Sequence, residues 1–213
     1  MRIVAITDIH SRQDYQKSVI TALSSADLIV IAGDITNFGD GQEARAVIAG
    51  IEAINNKILA LPGNCDQHSV NAVLESKGIA LHKKTLRFND IAFYGLGGSI
   101  QTPSGTPQEY TEEDLAETLK KFIRLKDCPR HIFVSHEPPY NTNTDKTMLG
   151  RHVGSKVIRT FLEGFQPNIA LTGHIHEARG VDRIGQTLVI NPGPFPAHYA
   201  EIMLADNITY HLH

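Results

Sequence analysis

The chain is organised as short apolar runs of four to six residues, each closed by a polar or glycine-rich turn. Their length and their content of β-branched residues favour buried strands over helices. The six strands predicted in this way are Ile3–Thr7, Leu28–Ala32, Ile58–Leu61, Ile91–Leu96, Ile132–Ser135 and Ile169–Thr172.

Segments with helical spacing or capping residues lie between these runs. Thr111 and Asp114 match a capping box, which predicts a helix that runs to about Lys126, just before Pro129. The alternation of strands and helices predicts an α/β domain with largely parallel strand pairing. The predicted helices are Gln13–Ser25, Glu43–Ile54, Ser69–Lys77, Thr111–Lys126 and Ser155–Phe165.

The last part of the chain has closely spaced strand candidates without helices between them. This spacing predicts a meander that forms or completes a second sheet. The four candidates are Gly180–Ile184, Thr187–Ile190, Tyr199–Leu204 and Ile208–His211. No repeat, low-complexity segment or linker interrupts the pattern, so we expect a single domain over residues 1–213.

Two long polar loops separate predicted elements, at residues 99–110 and 141–152. Long loops in compact domains are often functional or mobile, and the alternative is a plain surface connection. The sequence leaves both interpretations open.

Composition narrows the class of protein without identifying it. Hydrophobic residues make up 41% of the chain and the formal net charge is −3, as in an ordinary globular protein without a basic footprint for nucleic acid. No apolar stretch approaches the roughly 20 residues that cross a membrane, and the start lacks the pattern of a signal peptide. We therefore expect a cytoplasmic protein without membrane contact, with the thiols of Cys65 and Cys128 reduced.

Potential metal ligands follow five of the predicted strands. If these strands lie side by side, their carboxyl ends bring all the ligands to one edge of the sheet. Residues two apart in extended chain point to the same face, so each Asp-x-His or His-x-His pair can serve one ion or two adjacent ions. The predicted ligands are Asp8, His10, Asp34, Asn64, His136, His174 and His176.

Each of these residues also has an ordinary structural interpretation. A single Asp or Asn after a strand is usually a turn former, and a single His is usually a hydrogen-bonded or surface residue. Coincidence at five strand ends is much harder to sustain, so the sequence predicts a metal centre. The histidines interpreted as structural are His68, His82, His131, His198, His211 and His213.

The same motifs resemble those of the calcineurin-like metallophosphoesterases, and in particular the small Icc-related, phosphodiesterase-like members. The segments that carry this resemblance lie between residue 3 and about residue 193. They are Asp8-Ile9-His10, Gly33-Asp34, Gly63-Asn64-Cys65-Asp66, Ser135-His136-Glu137-Pro138-Pro139, Gly173-His174-Ile175-His176 and Asn191-Pro192-Gly193. The resemblance implies a four-layer α/β fold in which two packed β-sheets are flanked by helices.

The resemblance also assigns the ligands to two divalent ions. The first ion would be held by Asp8, His10, Asp34 and His176. The second would be held by Asp34, Asn64, His136 and His174, with Asp34 as the bridge. Carboxylate, amide and imidazole ligands suit Mn, Fe, Zn or Ni without choosing among them. The implied reaction is hydrolysis of phosphoesters, with diesters favoured, by attack of a dimetal-bound hydroxide on phosphorus.

Cys65 departs from the family pattern, because many members have a histidine directly after the metal-binding asparagine. A thiol cannot replace an imidazolium, which favours diesters over monoesters. As a replacement, Arg151 or His152 could contact substrate near a helix N-terminus that offers free N–H groups to phosphate, and we assign this role to His152, with a structural role in the cap region as the alternative. Asp34, Asn64 and His152 are thus the expected catalytic residues. For Cys65 itself, a small packed side chain is favoured over a metal ligand or redox sensor.

Three outer carboxylates are candidates for orienting the metal-bound histidines, namely Asp66, Glu137 and Glu177, with a solvated surface role as the alternative for either glutamate.

The expected partner is a small phosphoester, and exposed tail strands make a homodimer conceivable. The alternatives are a nuclease, although no basic surface is visible, and a binding scaffold that has lost its chemistry, although all seven ligands are present. The run Gly95-Leu96-Gly97-Gly98 lacks the spacing of a dinucleotide site and is interpreted as a turn near the metal edge.

Overall fold

The computed structural model describes all 213 residues and contains two stacked β-sheets. The strands are β1 (Arg2–Ile6), β2 (Leu28–Ala32), β3 (Ile58–Leu61), β4 (Thr85–Phe88), β5 (Ile91–Leu96), β6 (Ser99–Ile100), β7 (Glu109–Tyr110), β8 (Arg130–Ser135), β9 (Ile169–Leu171), β10 (Gly180–Ile184), β11 (Thr187–Asn191), β12 (Ala200–Leu204) and β13 (Ile208–Leu212). The first sheet has the order β13-β12-β1-β2-β3 and the second the order β10-β11-β9-β8-β5-β4. The helices are α1 (Lys17–Ser24), α2 (Gly41–Glu52), α3 (Ser69–Ser76), α4 (Glu112–Leu119) and α5 (Lys156–Phe165), and His176–Ala178 form one 3₁₀ turn.

Helices cover the outer face of each sheet, which makes four layers. In β1, Ile3 and Ala5 belong to the central core between the sheets, whereas Val4 and Ile6 pack in the outer core with residues of α1, α2 and α3. The outer face of the second sheet, which includes Tyr94, packs on α4 and α5. Strands covered on both faces are apolar at every position, which explains the continuous hydrophobic runs. The predicted four-layer α/β fold is confirmed.

The central strands of both sheets run parallel. β1 pairs with β2 and β2 with β3 in parallel, and β5, β8, β9 and β11 are joined in parallel in the second sheet. All five strands that precede predicted ligands are therefore parallel to a neighbour. Their carboxyl ends define the edge on which the ligands lie.

The predicted meander at the end of the chain is wrong. β10 and β11 extend the second sheet, where β11 pairs with β9, whereas β12 and β13 extend the first sheet, where β12 pairs with β1. The connection crosses between the sheets through Phe195, which is fully buried and donates its backbone N–H to Thr7 O at 3.0 Å. An antiparallel outer strand, β4, was also missed, although Leu86 and Phe88 alternate with polar residues there.

Two helices are shorter than predicted because aromatic residues leave the helix to pack. The capping box of Thr111 and Asp114 is present, but α4 ends at Leu119 and Phe122 turns inward, with its ring centroid 5.8 Å from that of Tyr94. Near α1, Tyr15 packs on Phe195 at 5.3 Å between centroids, and the helix begins only at Lys17.

β13 forms an outer edge of the first sheet. Association of two chains through such an edge stays a prediction, as does the single-domain organisation. None of the helices combines the length and the apolar character needed to traverse a bilayer.

Candidate metal centre

The seven predicted ligands converge on one edge, but they arrive from two sheets. β1, β2 and β3 of the first sheet lead into Asp8, His10, Asp34 and Asn64, and β8 and β9 of the second lead into His136, His174 and His176. The expectation that five neighbouring strands of one sheet supply the ligands is therefore wrong. The ligands meet because the carboxyl ends of two facing sheets lie at the same end of the central core.

Three side chains form a first group at this edge. One potential ligand atom from each of Asp8, His10 and His176 lies within 4.8 Å of the others. The Nε2 atoms of His10 and His176 are 3.2 Å apart, and Asp8 Oδ1 is 3.3 Å from His176 Nε2. Asp34 Oδ2 approaches the same group, 3.7 Å from His10 Nε2. These four residues are those predicted for the first ion.

A second group surrounds His136, which is fully buried. Its Nε2 atom lies 2.9 Å from Asn64 Oδ1 and 3.5 Å from Asp34 Oδ1. The ring of His174 is adjacent, with 5.2 Å between its centroid and that of His136. Burial and the neighbouring His136 lower the pKa of His174 to about 4, so this imidazole is neutral and offers a lone pair. These are the residues predicted for the second ion.

Asp34 lies between the two groups. Its Oδ2 atom faces His10 and its Oδ1 atom faces His136, while the backbone N–H of Cys65 donates to Oδ1 at 2.8 Å. Burial alone would raise the pKa of Asp34, but His136 and His10 hold it below its ordinary value, so the residue is an anion. A carboxylate with one oxygen toward each group has the geometry that a bridging ligand requires.

The donor chemistry of His136 fits a cation. Its Nδ1 atom lies 2.8 Å from the carbonyl oxygen of Ala32, which can only accept, so Nδ1 carries the hydrogen. In the neutral ring Nε2 then bears a lone pair, and it faces two oxygens, of Asn64 and Asp34. Burial opposes protonation, yet the charge and hydrogen bond of Asp34 raise the pKa of His136 to about 10. Acceptors that face one another in this way require a positive charge between them, either a proton or a metal ion.

Four of the seven residues adopt left-handed backbone conformations. The φ angles are 53° at Asp8, 47° at His10, 48° at Asp34 and 69° at His174. Such conformations cost about 1–3 kcal/mol each in non-glycine residues and occur at functional sites, where the surroundings enforce them. Here backbone bonds enforce them, because Asp8 N donates to Gly33 O at 3.0 Å and His10 N to Asp34 O at 2.9 Å.

Glycine is required at two positions by close approach. A Cβ atom on Gly33, which has φ 104°, would lie 2.3 Å from His136 Nδ1. A Cβ atom on Gly63 would lie 2.0 Å from Asp34 Oδ1. Glycine at these two positions therefore permits the close backbone approach directly before Asp34 and Asn64.

The three carboxylates expected to orient the metal-bound histidines accept hydrogen bonds from backbone N–H groups instead. Buried Asp66 accepts from the backbone N–H groups of Gly63, Ile35 and Thr36 and thereby joins the loops that carry Asn64 and Asp34. Glu137 accepts from Ile100 N and Glu177 from Met148 N, and neither makes a hydrogen bond to a histidine of the centre. The group that orients His136 is the Ala32 carbonyl, which sequence reasoning missed because a backbone acceptor has no signature in the sequence.

Cys65 is buried beside the centre. Its thiol lies within 4.8 Å of potential ligand atoms of His10 and Asp34. Burial, and then the charge of Asp34, raise the pKa of Cys65 well above its ordinary value, so the thiol is neutral. The side chain therefore supplies no positive charge, and its backbone N–H makes the contact with Asp34.

His152 lies in the loop of residues 141–152 and makes a short hydrogen bond to a buried carboxylate. Its Nδ1 atom is 2.7 Å from Asp145 Oδ1, and Asp145 also accepts from the N–H groups of Asn141, Thr142 and Gly154. Asp145 was missed because it looks like any loop aspartate in the sequence. His152 has no hydrogen bond to the seven residues of the centre, although Met148 of the same loop bonds Glu177, next to His176.

The predicted anion site at the N-terminus of α5 is wrong. The carboxylate of Glu112 accepts from Lys156 N at 2.8 Å and Val157 N at 3.2 Å, and from the hydroxyl of Ser155. Ile158 N donates to Ser155 Oγ. The first N–H groups of this helix are thus already used by Glu112 and the N-cap.

Two of the histidines interpreted as structural are hydrogen-bonded inside the fold. His82 accepts from Gly97 N at 2.7 Å, and His131 Nδ1 lies 3.0 Å from the hydroxyl of Tyr94. In the glycine run, Gly95 and Leu96 belong to β5, and Gly98, with φ 76°, lies at the bend before β6 and donates its N–H to Pro62 O at 3.0 Å, close to Asn64 in the chain.

Comparisons with known proteins agree with this geometry. A family model described as calcineurin-like phosphoesterase matches residues 1–178. The chain is 42% identical over 199 residues to the uncharacterized protein MJ1162 of Methanocaldococcus jannaschii, covering 91% of this chain and 88% of that protein. It is 22% identical over 213 residues to a probable cyclic nucleotide phosphodiesterase of Xenorhabdus bovienii, covering 90% and 85% of the two chains.

Among solved structures, TT1561 of Thermus thermophilus has the same fold. Its TM-score is 0.75 at 17% identity, covering 99% of this chain and 97% of that chain. Because the family model spans most of the sequence and the M. jannaschii protein matches over nearly its whole length, this chain belongs to the calcineurin-like phosphoesterase family.

Proposed function

We propose that this protein hydrolyses phosphodiesters with two divalent metal ions held by Asp8, His10, Asp34, Asn64, His136, His174 and His176. The observation that carries the proposal is the position of Asp34, whose two carboxylate oxygens face two separate groups of metal-type ligands. Membership of the phosphoesterase family supports the reaction class.

The charges at the centre suit an anionic ester. Asp8 and Asp34 bring two negative charges, and the remaining ligands are neutral when they bind metal. Two divalent ions therefore leave a net positive centre in a chain whose formal net charge is −3. Bound ions of this kind polarise phosphoryl oxygens and lower the pKa of a water molecule toward neutrality.

The preference for diesters rests on Cys65. A phosphomonoester dianion needs more positive charge than a diester monoanion, and the neutral thiol supplies none at the position where many members of the family have a histidine. The name of the X. bovienii relative, a probable cyclic nucleotide phosphodiesterase, points in the same direction.

His152 is proposed to assist departure of the alcohol. Asp145 holds Nδ1 of the ring, which leaves Nε2 free, and 28% of the His152 side chain is exposed. A buried carboxylate behind an imidazole fixes its tautomer and its orientation, so that Nε2 can exchange a proton with the substrate.

Reconstitution tests the proposal directly. Metal-free protein loaded with Mn, Fe, Zn or Ni is assayed on phosphomonoesters, cyclic nucleotides, linear diesters and DNA. We expect diester turnover that exceeds monoester turnover, and its loss in Asp34→Asn. His211→Ala, on exposed β13, is the matched control and keeps activity. Absence of turnover with all four metals would overturn the proposed reaction.

The role of His152 is tested by varying the leaving group of the substrate. With aryl phosphodiesters, His152→Ala should lower kcat by about 100-fold for poor leaving groups, the lower range for general acid–base catalysis, and by less for nitrophenolate. An unchanged kcat/KM across the series excludes His152 from the reaction.

A further inference from the structure

The amide of Asn64 has a fixed direction that metal binding requires. An asparagine amide presents an oxygen at one end and an NH₂ group at the other, and only the oxygen coordinates a cation. Asn64 Oδ1 faces His136 Nε2 at 2.9 Å, whereas Nδ2 points away and lies 3.1 Å from Thr106 Oγ1. A flipped amide would direct two hydrogens at the metal position.

The hydroxyl of Thr106 can only accept from this amide. Thr106 Oγ1 lies 2.7 Å from Glu109 Oε1, and a carboxylate oxygen has no hydrogen to offer, so Thr106 donates to Glu109. The lone pairs of Thr106 remain for Asn64, and they accept from Nδ2. This order of donors excludes the flipped amide.

Glu109 holds Thr106 firmly. Its Oε1 atom accepts from the backbone N–H of Thr106 at 2.8 Å, and from the backbone N–H and hydroxyl of Thr102 at 3.2 and 2.6 Å. Burial opposes ionisation of this carboxyl, but these hydrogen bonds keep the pKa of Glu109 below its ordinary value.

The loop of residues 99–110 is also locked in register against the Asn64 loop. Gln108, which is fully buried, donates its backbone N–H to Asn64 O at 3.1 Å and its side-chain amide to Asp66 O at 2.9 Å. Thr106 is thus positioned by contacts on both sides, and the loop is more than a surface connection.

We propose that Thr106, held by Glu109, is a positioning residue that directs the Asn64 carbonyl oxygen toward the second metal. The inference rests on the proposed metal centre, because it takes Asn64 as a ligand. It adds residues that none of the family motifs in this chain contains.

Titration of metal-free protein with Mn²⁺ alone tests it. Thr106→Val keeps the shape of the side chain and removes the acceptor. We expect the second Mn²⁺ to bind about 10- to 100-fold more weakly, the usual cost of losing a partner of a metal ligand, with the first little changed. Thr106→Ser restores the acceptor and the affinity. Thr102→Val, which shares Glu109 but does not touch Asn64, stays within about threefold of wild type, as for a change away from the site.

An Asn64→Asp background separates orientation from folding. A carboxylate has oxygen at both ends and needs no orienting partner, so adding Thr106→Val in this background should not weaken the second ion. Equal weakening in both backgrounds, or no weakening in the Asn64 protein, overturns the proposal, as does a wild type that binds fewer than two ions. Because the readout is metal affinity, a Thr106 effect without any diester turnover would refute the proposed reaction and leave this inference intact.

Discussion

Replacing Gly63 by alanine should disrupt the metal centre without touching a ligand. The added Cβ would lie 2.0 Å from Asp34 Oδ1 and 2.2 Å from Asp34 N, where real Cβ contacts are never below 3.0 Å. Asp34 or the Gly63 loop must therefore move by about 1 Å, and one of the two clashing atoms is backbone that cannot rotate away. A displacement of this size costs about 100-fold in rate when it reaches a catalytic group. Overpacking should also lower the free energy of unfolding by about 1–3 kcal/mol.

The assay compares Gly63→Ala with wild type by Mn²⁺ titration, diester turnover and urea unfolding. We expect both ions to bind more weakly, because Asp34 faces both groups. Gly164→Ala is the matched control, since its Cβ meets nothing within 4 Å in α5 and should stabilise the helix by up to about 1 kcal/mol. Wild-type affinity for two Mn²⁺ ions in Gly63→Ala would refute the packing argument.

The remaining predictions concern single side chains and metal removal. Asp34→Asn should weaken both ions, whereas His10→Ala should weaken mainly the first, as measured by metal stoichiometry after dialysis; equal losses in the two variants contradict the assignment. Burial, with a smaller contribution from Lys83, lowers the pKa of His82 to about 3. Between pH 6.5 and pH 3, His82 is therefore protonated in the unfolded chain and neutral in the native chain. Stability should therefore be lost as pH falls from 6.5 toward 3, by at most about 1.4 kcal/mol per pH unit, and His82→Asn should flatten this slope in urea unfolding measured over that range. Chelation of the metals should lower Tm, since ions at 100 times their Kd stabilise the native state by about 2.7 kcal/mol; a Tm insensitive to chelator excludes tight binding.

The proximity of the predicted ligands could be foreseen from the sequence because each follows a strand whose apolar run is easy to recognise. Asp8 and Asp34 are separated from buried strands by no more than one residue, and chain position alone places them at a carboxyl edge. The capping box at Thr111 is equally local and was found correctly. Signals of this kind depend on a few neighbouring residues, so tertiary contacts do not override them.

The partition of the strands between two sheets could not be predicted. A strand buried on both faces is apolar throughout, so its sequence does not show which sheet it joins. The end of α4 could not be predicted either, because contacts of Phe122 with distant rings outweigh the helical tendency of residues 120–126. The roles of Ala32, Thr106 and Asp145 depend on hydrogen bonds across 7 to 104 positions in the chain, and no residue type marks them.

Because the predicted ligands come from two sheets, the central core sets the distance between the two sets of side chains. Leu61 and Val134 belong to this core and lie only a few residues before Asn64 and His136 on opposite sheets. A larger or smaller apolar side chain at either position changes the gap between the sheets, since well-packed interiors transmit volume changes instead of absorbing them. We therefore expect the metal preference of the proposed centre to respond to substitutions in the hydrophobic interior, and substitutions that restore a weakened centre should be sought there as well as among the predicted ligands.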